Sequence, residues 1–250
     1  MNYKLLLNFA LLTGEIMLEN GAETFRVEDT ISRILLTSNC QTAEAFVTPT
    51  GIFATLDHPD IDLLSYVRRI KKRTININKI ALANGISRDF CSGDVTLEAS
   101  MYQLQQVKTE PEYSSWIRIF SIGLSAGFFA VVFGGTTSDM GVALLCGIIF
   151  GIIEGLLSTQ GLSKFLIDIL GGMIAALIPY YLCFKLGYAH HFDLIVISAI
   201  MPMVPGVAIT NAIREILHGE LISGAARAMD AFMIAASIAT GVGIVLSIVL

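Results

Sequence analysis

Five long apolar runs follow one another in the second half of the chain. They cover residues 117–136, 140–157, 165–184, 193–210 and 230–250. Each is close to the ~20 residues that an α-helix needs to cross about 30 Å of hydrocarbon. Because five successive runs of that length are not typical of a soluble core, they predict about five transmembrane helices.

The first 112 residues have shorter and more varied patterns. Apolar positions at helical spacing predict a helix over residues 2–19, ending at Asn20-Gly21, and a second helix after it. Residues 45–55 are rich in β-branched and aromatic side chains on either side of Thr48-Pro49-Thr50-Gly51, which indicates two strand pieces around a turn or a bulge. The remaining predicted elements are a strand over residues 63–75 and helices over residues 76–90 and 94–107.

The predicted fold class is an α-helical membrane bundle of about five transmembrane helices with an N-terminal cytosolic α/β (α+β) domain. Residues 1–112 form the cytosolic α/β domain, and residues 113–250 form the transmembrane domain. Composition agrees: 54% of the 250 residues are hydrophobic and 15% are charged, whereas a soluble chain carries roughly 25% charged residues.

Positive charge is concentrated in the first half of the chain. Of the 16 Lys and Arg residues, 12 lie at or before Arg118. The positive-inside rule therefore places the N-terminus in the cytosol and, after five crossings, the C-terminus outside. The basic run at residues 68–73 either touches anionic lipid headgroups or is a solvated, anchoring face. Nucleic-acid binding is not expected, because the net charge is −5 and the basic run lacks interleaved aromatic residues.

The residues indicate no cofactor, no metal site and no catalytic motif. The four cysteines are scattered, without a C-x-x-C spacing or a histidine at ligand distance. The chain has neither a P-loop nor a G-x-S-x-G sequence. We therefore interpret the chain as a non-enzyme, and keep a membrane-anchored hydrolase with its site in the cytosolic domain as the alternative.

The fourth apolar run contains Pro202, Pro205 and Gly206, which cannot continue one regular helix. Broken backbone at membrane depth is tolerated where it lines a cavity or is buried in protein, and it marks substrate sites in transporters. A helix that starts near Gly206 would direct free N–H groups and the positive end of its dipole at the break. The break is thus a candidate site for a carboxylate.

Polar side chains follow the break on one helical face. Asn211, Arg214 and His218 are spaced i, i+3 and i+7, and Arg214 can hold a carboxylate with two parallel hydrogen bonds. Alternatively, Arg214 pairs with a nearby acidic residue and only anchors the cytosolic edge. The predicted substrate-binding and transport residues are Pro202, Pro205, Gly206, Thr210, Asn211, Arg214, Arg227 and Asp230. Arg227 and Asp230 are spaced i, i+3, which by itself predicts a structural salt bridge.

Small residues predict where helices approach closely. Gly147, Gly151 and Gly155 form a G-x-x-x-G-x-x-x-G stripe. It serves either packing inside one bundle or association with another subunit, including a homo-oligomer.

Several long motifs resemble the threonine/serine exporter family. They are GAETFRVEDTI from Gly21, FVTPTGI from Phe46, MPMVPGVAITNAIR from Met201 and HGELISGAARA from His218. The resemblance covers essentially the whole chain and is strongest to the larger, N-terminal-type component of the split, two-chain form. It carries over the transport region above and a cytosolic motif of undefined role: Glu23, Arg26, Asp29, Thr48, Pro49, Thr50 and Gly51.

The resemblance implies a secondary-active exporter in the bacterial inner (cytoplasmic) membrane. Its implied substrates are small carboxylate-bearing metabolites, either threonine and serine or a dicarboxylate such as succinate. It also implies a partner, because fuller members carry about twice as many spans: a smaller integral-membrane subunit is expected to supply the others. The lipid bilayer is the remaining expected partner.

Overall fold

The computed structural model describes residues 2–40, 42–111 and 113–249. The chain forms two compact units. Unit 1 consists of Met1–Pro111 together with Ile209–Ala228, and unit 2 consists of Glu112–Ala208 together with Met229–Leu250. Residues 209–228, which the sequence assigned to the second half of the chain, therefore group with the N-terminal residues.

Unit 1 is an α+β arrangement around one three-stranded sheet. The strands are antiparallel in the order β1-β2-β3, and Val47 of β1 pairs with Ile52 of β2, which pairs with Arg68 of β3. The elements before residue 112 are α1 (Tyr3–Glu19), α2 (Thr24–Leu36), β1 (Thr42–Thr48), β2 (Gly51–His58), β3 (Ile61–Arg69), α3 (Ile77–Ser92) and α4 (Leu97–Thr109).

Helix α1 is the centre of the unit 1 core. Leu6, Phe9 and Ile16 are fully buried, and the core continues onto one sheet face through Ile52. Gly14 allows this approach, since a Cβ there would lie 2.6 Å from Ile31 Cδ1 of α2. Burial of large apolar side chains on two layers is the main source of stability for such a unit.

The hairpin β1-β2 turns at Pro49 and Thr50, as the sequence predicted. The third strand is shorter than expected, ending at Arg69 rather than at residue 75. The chain beyond it leaves the sheet because its backbone bonds the end of α1 instead: the Thr74 N–H donates to Glu19 O at 2.7 Å, and the Asn76 N–H donates to Asn20 O at 3.0 Å.

Six helical segments follow residue 113. They are α5 (Ser115–Val132), α6 (Thr137–Thr159), α7 (Lys164–Tyr180, extended by a π-helical turn at Tyr181–Lys185), α8 (Phe192–Ile200, extended by a 3-10 turn at Met201–Met203), α9 (Gly206–Leu217) and α10 (Leu221–Val249). Among the described residues, α5, α6, extended α7 and α10 are each long and apolar enough to cross a membrane. The bent pair Phe192–Met203 and Gly206–Leu217 makes a fifth if the two parts are taken as one broken span.

Two helix ends differ from the predicted runs. The first span stops at Val132 instead of residue 136, because Gly134 adopts a positive φ of 88° and turns the chain. The last helix begins at Leu221, nine residues before the apolar run, since the polar residues around Arg227 continue the helix beyond the hydrophobic stretch.

The predicted glycine stripe on α6 faces α5 of the same chain. A Cβ at Gly147 would lie 2.9 Å from Gly123 Cα, and one at Gly151 would lie 3.2 Å from Ile119 Cα. At Gly155 the neighbour is the Arg118 side chain, at 3.3 Å. Small residues let these two backbones approach closely, as in other membrane helix pairs.

Candidate functional site: a clamp on the α1–α2 connection

The two most specific sequence motifs meet inside unit 1. Helix α1 ends at Glu19 because Gly21 has a positive φ of 99°, a conformation that glycine adopts without steric cost. The connection that follows runs through Ala22 and Glu23 to the start of α2 at Thr24. Ala22, Glu23 and Thr24 are all buried.

Four consecutive residues of this connection hydrogen-bond to side chains from α9 and α10. Asn211 Nδ2 donates to Gly21 O at 2.9 Å, and Arg227 Nη2 donates to Ala22 O at 2.6 Å. Arg214 Nη1 donates to Glu23 Oε1 at 2.8 Å. The Thr24 N–H donates to Glu215 Oε1 at 3.0 Å. We call the side chains of Asn211, Arg214, Glu215 and Arg227 the clamp.

The α9–α10 hairpin places the clamp residues side by side. Asn211 and Glu215 are four residues apart and both buried, so they share one helical face. The turn between the helices uses Gly219, whose φ is +89°. At Gly224 the helices are in close contact, since a Cβ there would lie 2.5 Å from Ile216 Cγ1 and 3.1 Å from Ala212 O. That contact brings Arg227 of α10 beside Glu215 of α9.

Glu215 and Arg227 form a buried ion pair. Glu215 is 0% exposed, the Arg227 side chain is 13% exposed, and Arg227 Nε lies 2.9 Å from Glu215 Oε1. The same oxygen accepts from Thr24 Oγ1 at 3.3 Å. Glu215 Oε2 has no hydrogen-bond partner among the described residues. A buried carboxylate of this kind depends strongly on its cation, because the charge has lost its hydration.

The second ion pair of the clamp is half open to solvent. Glu23 is buried, but the Arg214 side chain is 55% exposed. Burial opposes ionisation of Glu23. Hydrogen bonds from its own backbone N–H and from Arg214, with the nearby charge of Arg26, nevertheless hold the pKa of the carboxyl below its ordinary value of 4.5. Glu23 is thus an anion at neutral pH with two guanidinium neighbours.

An aromatic contact between α2 and the residue after α9 lies next to the clamp. The rings of Phe25 and His218 are stacked, with centroids 4.0 Å apart and planes 4° from parallel. His218 Nδ1 donates to Arg214 O at 2.9 Å, which satisfies a carbonyl near the end of α9. The stack fixes the end of α9 over the first turn of α2.

The predicted site residues are distributed over this clamp and the helix break. Arg214 from the predicted transport region contacts Glu23 of the cytosolic motif. Asn211 and Arg227 from the same region bond the preceding carbonyls of the α1–α2 connection. Arg214 was expected either to face a substrate or to pair with a neighbouring acidic residue, and its hydrogen bond instead reaches Glu23, 191 positions away. Thr210 and Asp230 are exposed.

The other members of the cytosolic motif lie nearby on α2 and on the β1-β2 turn. Arg26 pairs with Glu23 at 3.6 Å, and Asp29 pairs with Arg33 at 2.9 Å, as expected from their helical spacing. Thr48 Oγ1 donates to Gly51 O at 3.3 Å across the turn at Pro49, and Thr50 O accepts the Ile70 N–H at 2.9 Å. These contacts give Thr48 and Thr50 a role in shaping the turn.

The fourth span is broken where Pro202 and Pro205 predicted it. Helix α8 becomes a 3-10 turn over Met201–Met203, Val204 is extended with φ −60° and ψ 129°, and α9 begins at Gly206. The two helical parts are bent by 58°. A Cβ at Gly206 would meet nothing within 4 Å, so there is open space beside the start of α9.

Sequence reasoning missed Glu215 as a member of the site. On α9, Asn211 and Glu215 are buried, whereas Ile209, Ile213 and Ile216 are 43%, 55% and 44% exposed. The available signal was the i, i+4 spacing of Asn211 and Glu215, where Glu215 directly follows the motif that ends at Arg214. No group of three or more metal-binding side chains was found among the described residues.

The chain is similar to curated proteins over most of its length. The chain is 24% identical to an uncharacterized protein of Schizosaccharomyces pombe over 97% of its length, covering 30% of that protein. It is 22% identical to a threonine/serine exporter of Corynebacterium glutamicum over 70% of its length, covering 37% of that protein. It is 21% identical to a probable threonine/serine exporter of Mycobacterium tuberculosis over 94% of its length, covering 45% of that protein.

The chain spans less than half the length of these curated relatives. No solved structure matches it. The family model for the putative threonine/serine exporters matches residues 8–249. This chain therefore belongs to the putative threonine/serine exporter family.

Proposed function

We propose that this protein is a component of a secondary-active membrane exporter of small amino acids, with threonine and serine as its substrates. The observation that carries the proposal is the broken fourth span, at Pro202–Gly206, in a chain of this family. Curated relatives are described as threonine/serine exporters. A break of this kind is characteristic of transporter substrate sites.

The start of α9 is the proposed contact for the substrate carboxylate. The Gly206 N–H donates to Val204 O at 2.8 Å, so the groups proposed for the carboxylate are the next backbone N–H groups of the first turn, where the helix dipole adds positive potential. The open space beside Gly206 gives a small anion room to approach these groups. A helix N-terminus of this kind is suited to a carboxylate.

Arg214 lies two turns further along α9 and has a competing partner. The Arg214 guanidinium already donates a hydrogen bond to Glu23, so a substrate carboxylate would have to displace Glu23. More than half of the Arg214 side chain is exposed, which leaves donors accessible for that exchange. We propose that a carboxylate that displaces Glu23 from Arg214 would release the α1–α2 connection from this contact.

The clamp also bears on how the chain crosses the membrane. Because residues 21–24 contact residues 211–227, the two segments must lie on the same side of the bilayer. Four crossings, by α5, α6, the extended α7 and the bent α8–α9 pair, satisfy that requirement. Combined with the excess of Lys and Arg before residue 119, this supports a cytosolic N-terminus and an extracytoplasmic C-terminus.

An efflux assay tests the proposal. Cells that make the full chain are preloaded with labelled threonine, and its release is compared with that of cells lacking the chain. We expect faster release with the chain, and a large loss of that gain for Pro205→Ala, which allows α8 and α9 to join. Pro111→Ala, an exposed proline outside the helices, is the matched control. Equal release with and without the chain would overturn the proposed function.

Selectivity and partnership need separate arms. Preloading with serine or succinate tests whether a dicarboxylate is carried as well as the hydroxy amino acids. The smaller membrane subunit and the bacterial inner-membrane location remain predictions from the family resemblance. Co-expression of a candidate small membrane protein, with efflux as the readout, tests the first, and membrane fractionation tests the second.

A further inference from the structure

One acidic side chain of unit 2, Asp168, is buried and has no role in the export proposal. Asp168 is on α7, within an apolar segment long enough to cross a membrane, and is only 4% exposed. Its Oδ2 has no hydrogen-bond partner among the described residues. A charged carboxylate is expensive in such a place, and ionisable groups retained there usually serve transport or proton transfer.

The face of α7 that carries Asp168 packs against the broken span and the last helix. One turn beyond it, a Cβ at Gly171 would overlap the Met203 methyl group and lie 2.6 Å from the Phe150 ring. At Gly172 a Cβ would lie 2.5 Å from Ile238 O of α10. The 3-10 turn at the break therefore packs one helical turn away from Asp168.

The charged neighbours of Asp168 come from three helices. Glu154 lies one turn beyond Phe150 on α6, and its charge acts on Asp168, as does that of Lys164 at the start of α7. Arg118 of α5 is near Gly155, the residue after Glu154. In unit 2, the other two packed helices contribute Asp193, at the start of α8, and Asp230, at the start of the apolar run of α10.

We propose that Asp168, assisted by Glu154, is the proton-binding site that couples export to a proton gradient. The inference rests on the proposed export function. Protonation makes Asp168 neutral, so that it can remain buried against the apolar surroundings. Loss of the proton creates a charge next to Glu154, which favours hydration or pairing with a cation such as Lys164. Because Met203 packs on the same face of α7, the change in packing reaches the break directly.

Infrared difference spectroscopy tests proton binding without relying on transport. The full chain in lipid is titrated while the C=O stretching band of a protonated carboxylic acid is followed. We expect a titrating band that is lost in Asp168→Asn and retained in Asp193→Asn, which makes the same chemical change at an exposed residue. Glu154→Gln should keep the band and move its midpoint. An unchanged band in Asp168→Asn would overturn the assignment.

Transport in proteoliposomes tests the coupling role. A pH gradient should drive threonine accumulation by the wild-type chain and by Asp193→Asn. The Asp168→Asn variant should accumulate at least tenfold less threonine than the wild type under the same pH gradient. Its threonine-for-threonine exchange should continue. Retained accumulation in Asp168→Asn would overturn the inference, and so would loss of exchange together with accumulation. Accumulation driven by a sodium gradient alone would also overturn it.

The two proposals fail in different ways. If wild-type vesicles neither exchange nor accumulate threonine, the export function is wrong, whatever the infrared band does. If wild-type vesicles transport and the band does not depend on Asp168, only the coupling assignment is wrong. Elution of each variant as a single species on size exclusion establishes that it is folded, and Glu154→Gln supplies a second variant if Asp168→Asn does not fold.

Discussion

Replacing Arg227 by alanine is the most informative perturbation of the clamp. Among the described residues, Arg227 is the only cation paired with Glu215, with Nε 2.9 Å from Glu215 Oε1. The change removes this cation and also the Nη2 donor that lies 2.6 Å from Ala22 O. Glu215 is fully buried and cannot regain water without opening the α9–α10 hairpin. The variant therefore leaves an uncompensated buried charge.

The expected magnitude follows from burial. Breaking a buried ion pair by removing one partner costs about 3–5 kcal/mol. The Arg214–Glu23 pair has the same short contact, but its guanidinium side chain is 55% exposed, so Arg214→Ala should cost about 0–1 kcal/mol. At about 2–4 °C per kcal/mol for a chain of this size, Arg227→Ala should lower the Tm by roughly 6–20 °C.

Thermal unfolding of the purified full chain in detergent measures the difference. Size-exclusion elution after heating reports the loss of folded protein, and Arg214→Ala is the matched arginine control. The double variant Glu215→Gln with Arg227→Ala provides a second test. Glutamine keeps an acceptor for the Thr24 N–H without a charge, so the double variant should be more stable than Arg227→Ala alone by about 1–3 kcal/mol.

Two results would refute this reasoning. One is a Tm for Arg227→Ala within the small range expected of Arg214→Ala. The other is a double variant less stable than Arg227→Ala, because additional destabilisation would mean that Glu215 does not carry an unpaired charge in the single variant.

Three further predictions concern the same unit. The pKa of Glu23 is lowered in the folded chain, so its ionic contacts stabilise the fold above pH 4.5 and are lost as the pH falls through the folded-state pKa. Between pH 7 and pH 3, the Tm of Glu23→Gln should therefore drop less than that of the wild type. Burial first, and then the charge of Glu220, raises the pKa of Glu28 above 4.5 despite the Val47 N–H bond. Ionised Glu28 thus weakens the fold as the pH rises through its folded pKa, and Glu28→Gln should raise the Tm at pH 7 while changing little at pH 3. Gly224→Ala should destabilise by about 1–3 kcal/mol through overlap with Ile216, whereas Gly243→Ala, with open space around it, should be neutral or stabilising, as the two melting curves would show.

Local patterns in the sequence were sufficient for the elements and for the break. The span lengths, the Pro49 turn and the interruption at Pro202 and Pro205 all depend on residues close together in the chain. The strand predicted over residues 63–75 was too long for a tertiary reason: residues 74 and 76 bond the end of α1, which no local propensity encodes.

The pairing inside the clamp depends on distant residues. The partners Glu23 and Arg214 are separated by 191 positions, and Ala22 and Arg227 by 205. Helix α9 also buries Asn211 and Glu215 while Ile213 and Ile216 stay exposed, which hydrophobic periodicity alone does not anticipate. A helix whose polar residues bind a buried connection reverses the usual rule that the apolar face is the buried one.

Threonine counterflow by the purified full chain in vesicles tests the central claim, that this protein carries small amino acids through a broken span. Vesicles filled with unlabelled threonine are diluted into a trace of labelled threonine, with Pro205→Ala as the comparison. The account predicts transient accumulation of label above equilibrium by the wild-type chain and little by the variant. Accumulation no greater than in protein-free vesicles, or equal accumulation by Pro205→Ala, would contradict it.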